Sequence, residues 1–160
     1  MNPILMTLLI GLAATTVPLA PQRGAGKSDF SGHWVVDLPS NASAETMLPT
    51  FCARDCTLAQ TAQTLTVETS GRKTSYTLNG IPVRQETASP YGTSVTTTTA
   101  AWEGTSLVIT FKVEAIGDRQ FAPNVTRLSL NRGRLHIENV RSAMGRGPTN
   151  SQADYVRAKP

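Results

Sequence analysis

The two cysteines of the chain, Cys52 and Cys56, are separated by only three residues. Two sulfur atoms this close can form a disulfide, or they can supply half of a tetrahedral metal site. The spacing differs from the Cys-x-x-Cys of redox motifs, and nothing in the sequence brings His33 or His136 to the pair. We therefore predict that Cys52 and Cys56 form a disulfide that holds one local loop, and we predict no metal site. A metal carrier is the alternative.

His33 and His136 are the side chains best suited to act as general bases. His33 precedes Trp34, and His136 lies between Leu135 and Ile137. The alternation of a β-strand would place both histidines opposite these apolar side chains, towards solvent. The sequence also contains no Gly-x-Ser-x-Gly motif, close carboxylate pair or glycine-rich phosphate loop. We predict a protein that is not an enzyme and that uses no cofactor, and an enzyme that uses His136 or the cysteine loop is the alternative.

Arginines are concentrated late in the chain. Five of them fall between Arg127 and Arg146, and Glu138 is the only acid in that range. The formal net charge of the chain is only +4, and aromatic residues do not alternate with the basic ones, so we predict no nucleic-acid binding. An anionic ligand, an acidic envelope surface and plain solvation remain as interpretations of these arginines.

Residues 4–14 form an apolar segment with the length of a signal-peptide hydrophobic region. The segment is too short to span a bilayer comfortably. No Lys or Arg precedes it, and Ala20 is followed by Pro21, so a cut nearer Ala25 or a retained anchor stays open. We predict a signal peptide or leader over residues 1–25, a secreted or periplasmic protein, and no transmembrane segment once the leader is cleaved.

After the leader, apolar residues alternate with polar ones and no segment repeats with a helical period. Turn signals such as Asn79-Gly80 and Glu103-Gly104 separate the alternating segments. We predict a single all-β domain over residues 29–160, an antiparallel up-and-down β-barrel of about eight to nine strands. Residues 57–63 are a weaker strand candidate, residues 143–150 are expected to form a loop, and the last strand is expected near 153–157.

The segment Ser31-Gly32-His33-Trp34 resembles the opening of lipocalin-like, calycin-type barrels. Two later segments, Tyr76–Gly80 and Thr97–Ile109, resemble the hairpins of small secreted bacterial proteins of uncharacterised function. The resemblance implies a barrel with one end closed by Gly32 and Trp34. It also implies that an arginine from a late strand, here Arg157, packs over Trp34, and that the interior can hold a small apolar molecule.

An eight-stranded barrel has an interior that is either filled by side chains or just wide enough for one small ligand. We expect Tyr76, Trp102 and Phe111 to line a ligand site, and Arg127 or Arg141 to meet an acidic head group. The predicted function is therefore the binding of a small, mostly apolar or amphipathic molecule. The alternative is a non-enzymatic envelope structural or interaction protein with a filled core and a basic surface.

Overall fold

A computed structural model of the chain describes residues 26–38, 48–89, 92–114, 122–143 and 146–159. The predicted leader, 1–25, lies outside the described residues. The strands are β1 (Gly32–Val36), β2 (Asp55–Gln60), β3 (Thr64–Thr69), β4 (Arg72–Thr77), β5 (Val83–Ser89), β6 (Gly92–Glu103), β7 (Ser106–Glu114), β8 (Asn124–Asn131), β9 (Arg134–Ala143) and β10 (Arg146–Arg157). The described residues include no helix, so the all-β prediction is confirmed. In this part of the chain there is accordingly no apolar helix of membrane-spanning length.

All ten strands form one antiparallel sheet in the order β4-β3-β2-β1-β10-β9-β8-β7-β6-β5. Consecutive strands pair with each other except at one point, and β1 also pairs with β10, so the beginning and the end of the sheet-forming chain meet. The sheet is not closed, because no ladder joins β4 to β5 within the described residues. The turn after β4 nevertheless reaches β6, since the backbone N–H of Gly80 donates to the carbonyl of Ala100 at 3.0 Å.

The strand number and one boundary differ from the prediction. The described residues form ten strands, because the weakly patterned segment around 57–63 and the segment after Pro82 form the full strands β2 and β5 against better-patterned neighbours. Residues 146–150, predicted as loop, belong to β10. Pro148 is accommodated there because it lies within a register shift between Arg146 and Thr149, where a missing N–H interrupts no regular ladder.

Strand alternation turns one face of the sheet inwards, and this face forms the hydrophobic core. At the end where β1 begins, the buried Trp34 donates its indole N–H to the carbonyl of Phe30 at 2.8 Å. The Phe30 ring stacks on Trp102 at 5.7 Å between centroids. The guanidinium of Arg157 lies 4.6 Å from the centre of the Trp34 ring and donates to the carbonyl of Ser31 at 2.6 Å. We call this part of the interior, defined by Phe30, Trp34, Trp102 and Arg157, the closed end.

We expect Gly32 to resist substitution, because its backbone conformation is one that L side chains rarely adopt and the Arg157 guanidinium packs beside it. The φ angle of Gly32 is +143°, and a Cβ atom there would lie 2.5 Å from Nη1 of Arg157. Gly32→Ala should lower the free energy of unfolding in urea by about 1–3 kcal/mol. Gly147→Ala is the matched control, since its Cβ would meet nothing within 4 Å, and it should change stability by less than about 0.5 kcal/mol. Equal stability of the two variants would contradict this account.

Tyr155 couples the core to the loop that carries the cysteines. Its side chain is fully buried, and its hydroxyl donates to the carbonyl of Ala53 at 2.9 Å. Burial raises the pKa of Tyr155 well above its ordinary value of 10.0, because the phenolate would be poorly solvated. The folded protein therefore keeps the proton at a pH where the unfolded chain releases it.

We expect stability to fall as the pH rises above about 10, since a raised folded-state pKa contributes stability that is lost between the unfolded and folded values. Tyr155→Phe should cost about 1 kcal/mol at pH 8 through the lost hydrogen bond. It should also reduce the loss of stability between pH 8 and pH 11, measured by urea unfolding at each pH. Part of the slope should remain, because burial also raises the pKa of Tyr76. An unchanged slope would show that Tyr155 is not the group responsible.

Candidate functional site

Away from the closed end, the interior widens into a cavity of about 370 Å³. Residues of β3 and β4 line one side of it, and residues of β7, β8 and β9 line the other. These two groups of strands are far apart in the order of the sheet, so the sheet must curve strongly to bring them around one space. The volume lies within the range of small-molecule sites, which is roughly 300–1,000 Å³.

The interior changes from apolar to polar along the strands. Residues that face each other across β7, β8 and β9 form successive rows, and the first row is entirely buried and aliphatic. The second row contains one aliphatic side chain, one hydroxyl and one amide, and the third contains an aromatic ring, an amide and a guanidinium. The rows are Leu107–Leu128–Ile137, Ile109–Thr126–Asn139 and Phe111–Asn124–Arg141. We call the end of the interior near the third row the open end.

Two arginines give the cavity a positive charge. Arg141 from β9 and Arg72 from β4 line it, and both are exposed at its mouth. The Arg141 guanidinium donates to the hydroxyl of Thr50, which fixes its position at the wall. No Asp or Glu is among the described residues that line the cavity. An anionic group could therefore bind there without repulsion from a neighbouring carboxylate.

Aromatic side chains form the apolar part of the wall. Phe51 and Tyr76 stack with ring centroids 6.0 Å apart, and Phe111 faces the same cavity with 40% of its surface exposed. The ordinary pKa of a tyrosine is 10.0, and burial raises the pKa of Tyr76 further, so its hydroxyl keeps its proton at neutral pH and can donate a hydrogen bond. The cavity thus combines aromatic surface with hydrogen-bond donors and cations, which suits an amphipathic anion.

A second cavity of about 260 Å³ lies between the two edges of the sheet. Its lining residues include Val83 and Gln85 from β5 as well as residues of β4 and β6. Thr74, Tyr76 and Phe111 line both cavities, so the two spaces adjoin across these three side chains. The gap between β4 and β5 therefore adjoins the interior of the sheet.

The structure brings three of the five predicted ligand-binding residues together. Tyr76, Phe111 and Arg141 line the large cavity, whereas Trp102 and Arg127 do not. Trp102 belongs to the closed end, where Lys27 lies 5.6 Å from its ring centre. Arg127 is on the opposite face from buried Leu128 and forms an ion pair with Glu103 at 2.8 Å. The three residues predicted for a closed barrel end, Gly32, Trp34 and Arg157, lie in contact with one another.

Sequence analysis missed the polar residues of the cavity, above all Asn139, Thr126 and Arg72. The alternation of inward and outward residues along the strands did contain a signal for these polar residues. The inward positions of β9 change from aliphatic to polar along the strand, and those of β3 and β4 become polar towards the same end. Aligning these changes would have indicated a polar end of the interior, but only a known register allows the strands to be aligned.

Cys52 and Cys56 are paired as a disulfide, as predicted, with their Cα atoms 5.1 Å apart. Both side chains are buried, and the Thr69 hydroxyl donates to the carbonyl of Cys52 at 3.2 Å. The neighbouring residue Phe51 lines the cavity. The disulfide therefore fixes one wall of the site and takes no direct part in it.

The histidines lie outside the cavity and are paired with acids. His33 is 3.6 Å from Asp55, and His136 lies 2.7 Å from Asp154 through Nδ1 and 3.4 Å from Glu138 through Nε2. Among the described residues, no three His, Cys, Asp or Glu side chains are grouped so that they could hold a metal ion.

No family model matches the sequence, and no curated protein matches it either. Function must therefore be argued from the site itself.

Proposed function

We propose that this protein is a secreted or periplasmic, lipocalin-like β-barrel protein that binds a small amphipathic anion inside its sheet. The observation that carries the proposal is the 370 Å³ cavity with two arginines and three aromatic side chains in its wall. The apolar part of the ligand would lie against Phe51, Tyr76 and Phe111. Its acidic group would lie at the mouth, near Arg72 and Arg141.

The cavity also supports this function over an envelope structural protein with a filled core. A filled core would leave no space of this size between β3–β4 and β7–β9. The alternative further requires the late arginines to form one basic surface. Arg141 instead faces the cavity, while Arg127 pairs with Glu103 and Arg134 pairs with Asp37 elsewhere on the sheet.

The test compares two fluorescent probes with the same aromatic rings, of which only one is charged. 1-Anilinonaphthalene-8-sulfonate is anionic, and N-phenyl-1-naphthylamine is its neutral counterpart. We expect Arg141→Gln and Arg72→Gln each to weaken binding of the anionic probe about fivefold, because each removes a partly exposed ion pair worth about 1 kcal/mol. Binding of the neutral probe should not change.

Arg134→Gln is the matched control, since it removes one positive charge from the same strand as Arg141 but away from the cavity. It should bind both probes as the unaltered protein does. If Arg141→Gln leaves the affinity for the anionic probe unchanged, recognition of an anion by this cavity is wrong. If neither probe binds, the filled-core alternative replaces the proposal.

Phe111 should contribute more to binding than to folding. Its side chain lines both cavities and is 40% exposed, so Phe111→Ala should cost less stability than the 3–5 kcal/mol typical of a fully buried phenylalanine. We expect it to weaken binding of both probes while the urea midpoint changes little. Leu128→Ala, in the buried aliphatic row, should instead cost about 2–5 kcal/mol of stability. A Phe111→Ala variant destabilised as strongly as Leu128→Ala would make Phe111 only a core residue.

A further inference from the structure

Asn139 is the one residue with a polar amide, hydroxyl-alkyl or charged side chain that is buried in the described part of the chain. Its side chain lines the large cavity, and the residue is only 5% exposed. Its Oδ1 atom is buried, and no described residue provides it with a hydrogen-bond partner. A buried carbonyl oxygen that accepts no hydrogen bond is unfavourable for folding, because it has lost its bonds to water and gained none in return. A leucine would suit this position better if it served only the core.

The position of Asn139 relative to the charged mouth is defined by β9. Asn139 and Arg141 are two residues apart on the same face, so their Cα atoms are about 6.6 Å apart along the strand. A ligand that contacted both side chains would therefore carry its anionic group within a few atoms of the group that meets Asn139. Thr126, directly across the ladder from Asn139, also faces this space.

We propose that the ligand is an N-acyl amino acid or a closely similar molecule, in which a secondary amide follows the carboxylate and carries an acyl chain. This inference rests on the proposed function. The carboxylate would bind Arg141 and Arg72, and the amide would pair with Asn139. An amide carries both a donor and an acceptor, so it satisfies the asparagine side chain whichever way that side chain is turned. A simple fatty acid has no donor to offer at this position.

The adjoining cavity accommodates the acyl chain. It begins at Tyr76 and Phe111, the aromatic side chains shared with the large cavity, and continues along Val83 and Ala100 between the edges of the sheet. An elongated ligand with its head at the arginines can therefore extend its tail past these two rings. Such a ligand is bound at three points: the ion pairs, the amide pair and the apolar contacts of the tail.

The test uses three octanoyl compounds that differ at one group at a time, measured by titration calorimetry on the full chain. N-octanoylglycine has the carboxylate and the amide. O-octanoylglycolate replaces the N–H by an ester oxygen, and N-ethyloctanamide keeps the amide but lacks the carboxylate. We expect N-octanoylglycine to bind about tenfold more tightly than either of the others, since each lacks one hydrogen-bonded or charged contact.

Asn139→Leu should bind N-octanoylglycine and O-octanoylglycolate with equal affinity while melting at the same temperature as the unaltered protein or higher. If the unaltered protein binds both carboxylates equally and more tightly than N-ethyloctanamide, the amide assignment is overturned and the proposed anion site stands. If N-ethyloctanamide binds as tightly as N-octanoylglycine, the proposed function fails as well. Both comparisons use the unaltered protein, so neither depends on the folding of a variant.

Discussion

The packing of Trp34 at the closed end is the interaction on which the rest of the structure depends. Its indole is fully buried, donates to the carbonyl of Phe30 and is covered by Arg157 from the last strand. β1 is only five residues long, yet it pairs with β2 on one side and β10 on the other. The Trp34–Arg157 contact holds this junction together from both ends of the described chain. Without it, the sheet would gain two more free edges between β2 and β10.

Closing one end leaves the other free for a site. The aliphatic row next to the closed end is fully buried and stabilises the fold, whereas the other two rows contain Asn139, Asn124 and Arg141. Polar groups in these positions are unfavourable in a packed core and are tolerated here because they face a cavity. The residues that stabilise the fold and those that line the cavity therefore lie towards opposite ends of the same strands. The loop that carries the disulfide lies at the open end, since Thr50 and Phe51 form part of the wall of the cavity.

The gap between β4 and β5 is the second constraint. One backbone bond, from Gly80 after β4 to Ala100 on β6, joins the two sides of this gap, and a cavity lies between β4 and β5. A ladder along the full edge would bring the strands to about 4.8 Å and remove that space. Because these edges are unpaired, the interior extends past Tyr76 and Phe111 into the gap between β4 and β5. Exposed edges are usually protected against pairing with other chains, and here the charged side chains of Arg72, Lys73 and Arg84 lie on them.

Much of the fold and part of the site could be predicted from the sequence, because strand alternation is a local property. It determined the all-β class, the inward set of apolar side chains, and the outward placement of both histidines. The same alternation also separates Arg127 from Arg141. Arg127 is next to the inward-facing Leu128 and therefore faces outwards, whereas Arg141 is four residues after the inward-facing Ile137 on β9 and faces inwards as well. The pairing of Cys52 with Cys56 followed from their spacing and is present.

Only the tertiary structure decided which rows of inward-facing side chains meet. Register and curvature come from hydrogen bonds between residues far apart in the chain, such as those joining Trp34 to Arg157. Those bonds bring Arg72 and Asn139 to one cavity, and they place Trp102 at the opposite end.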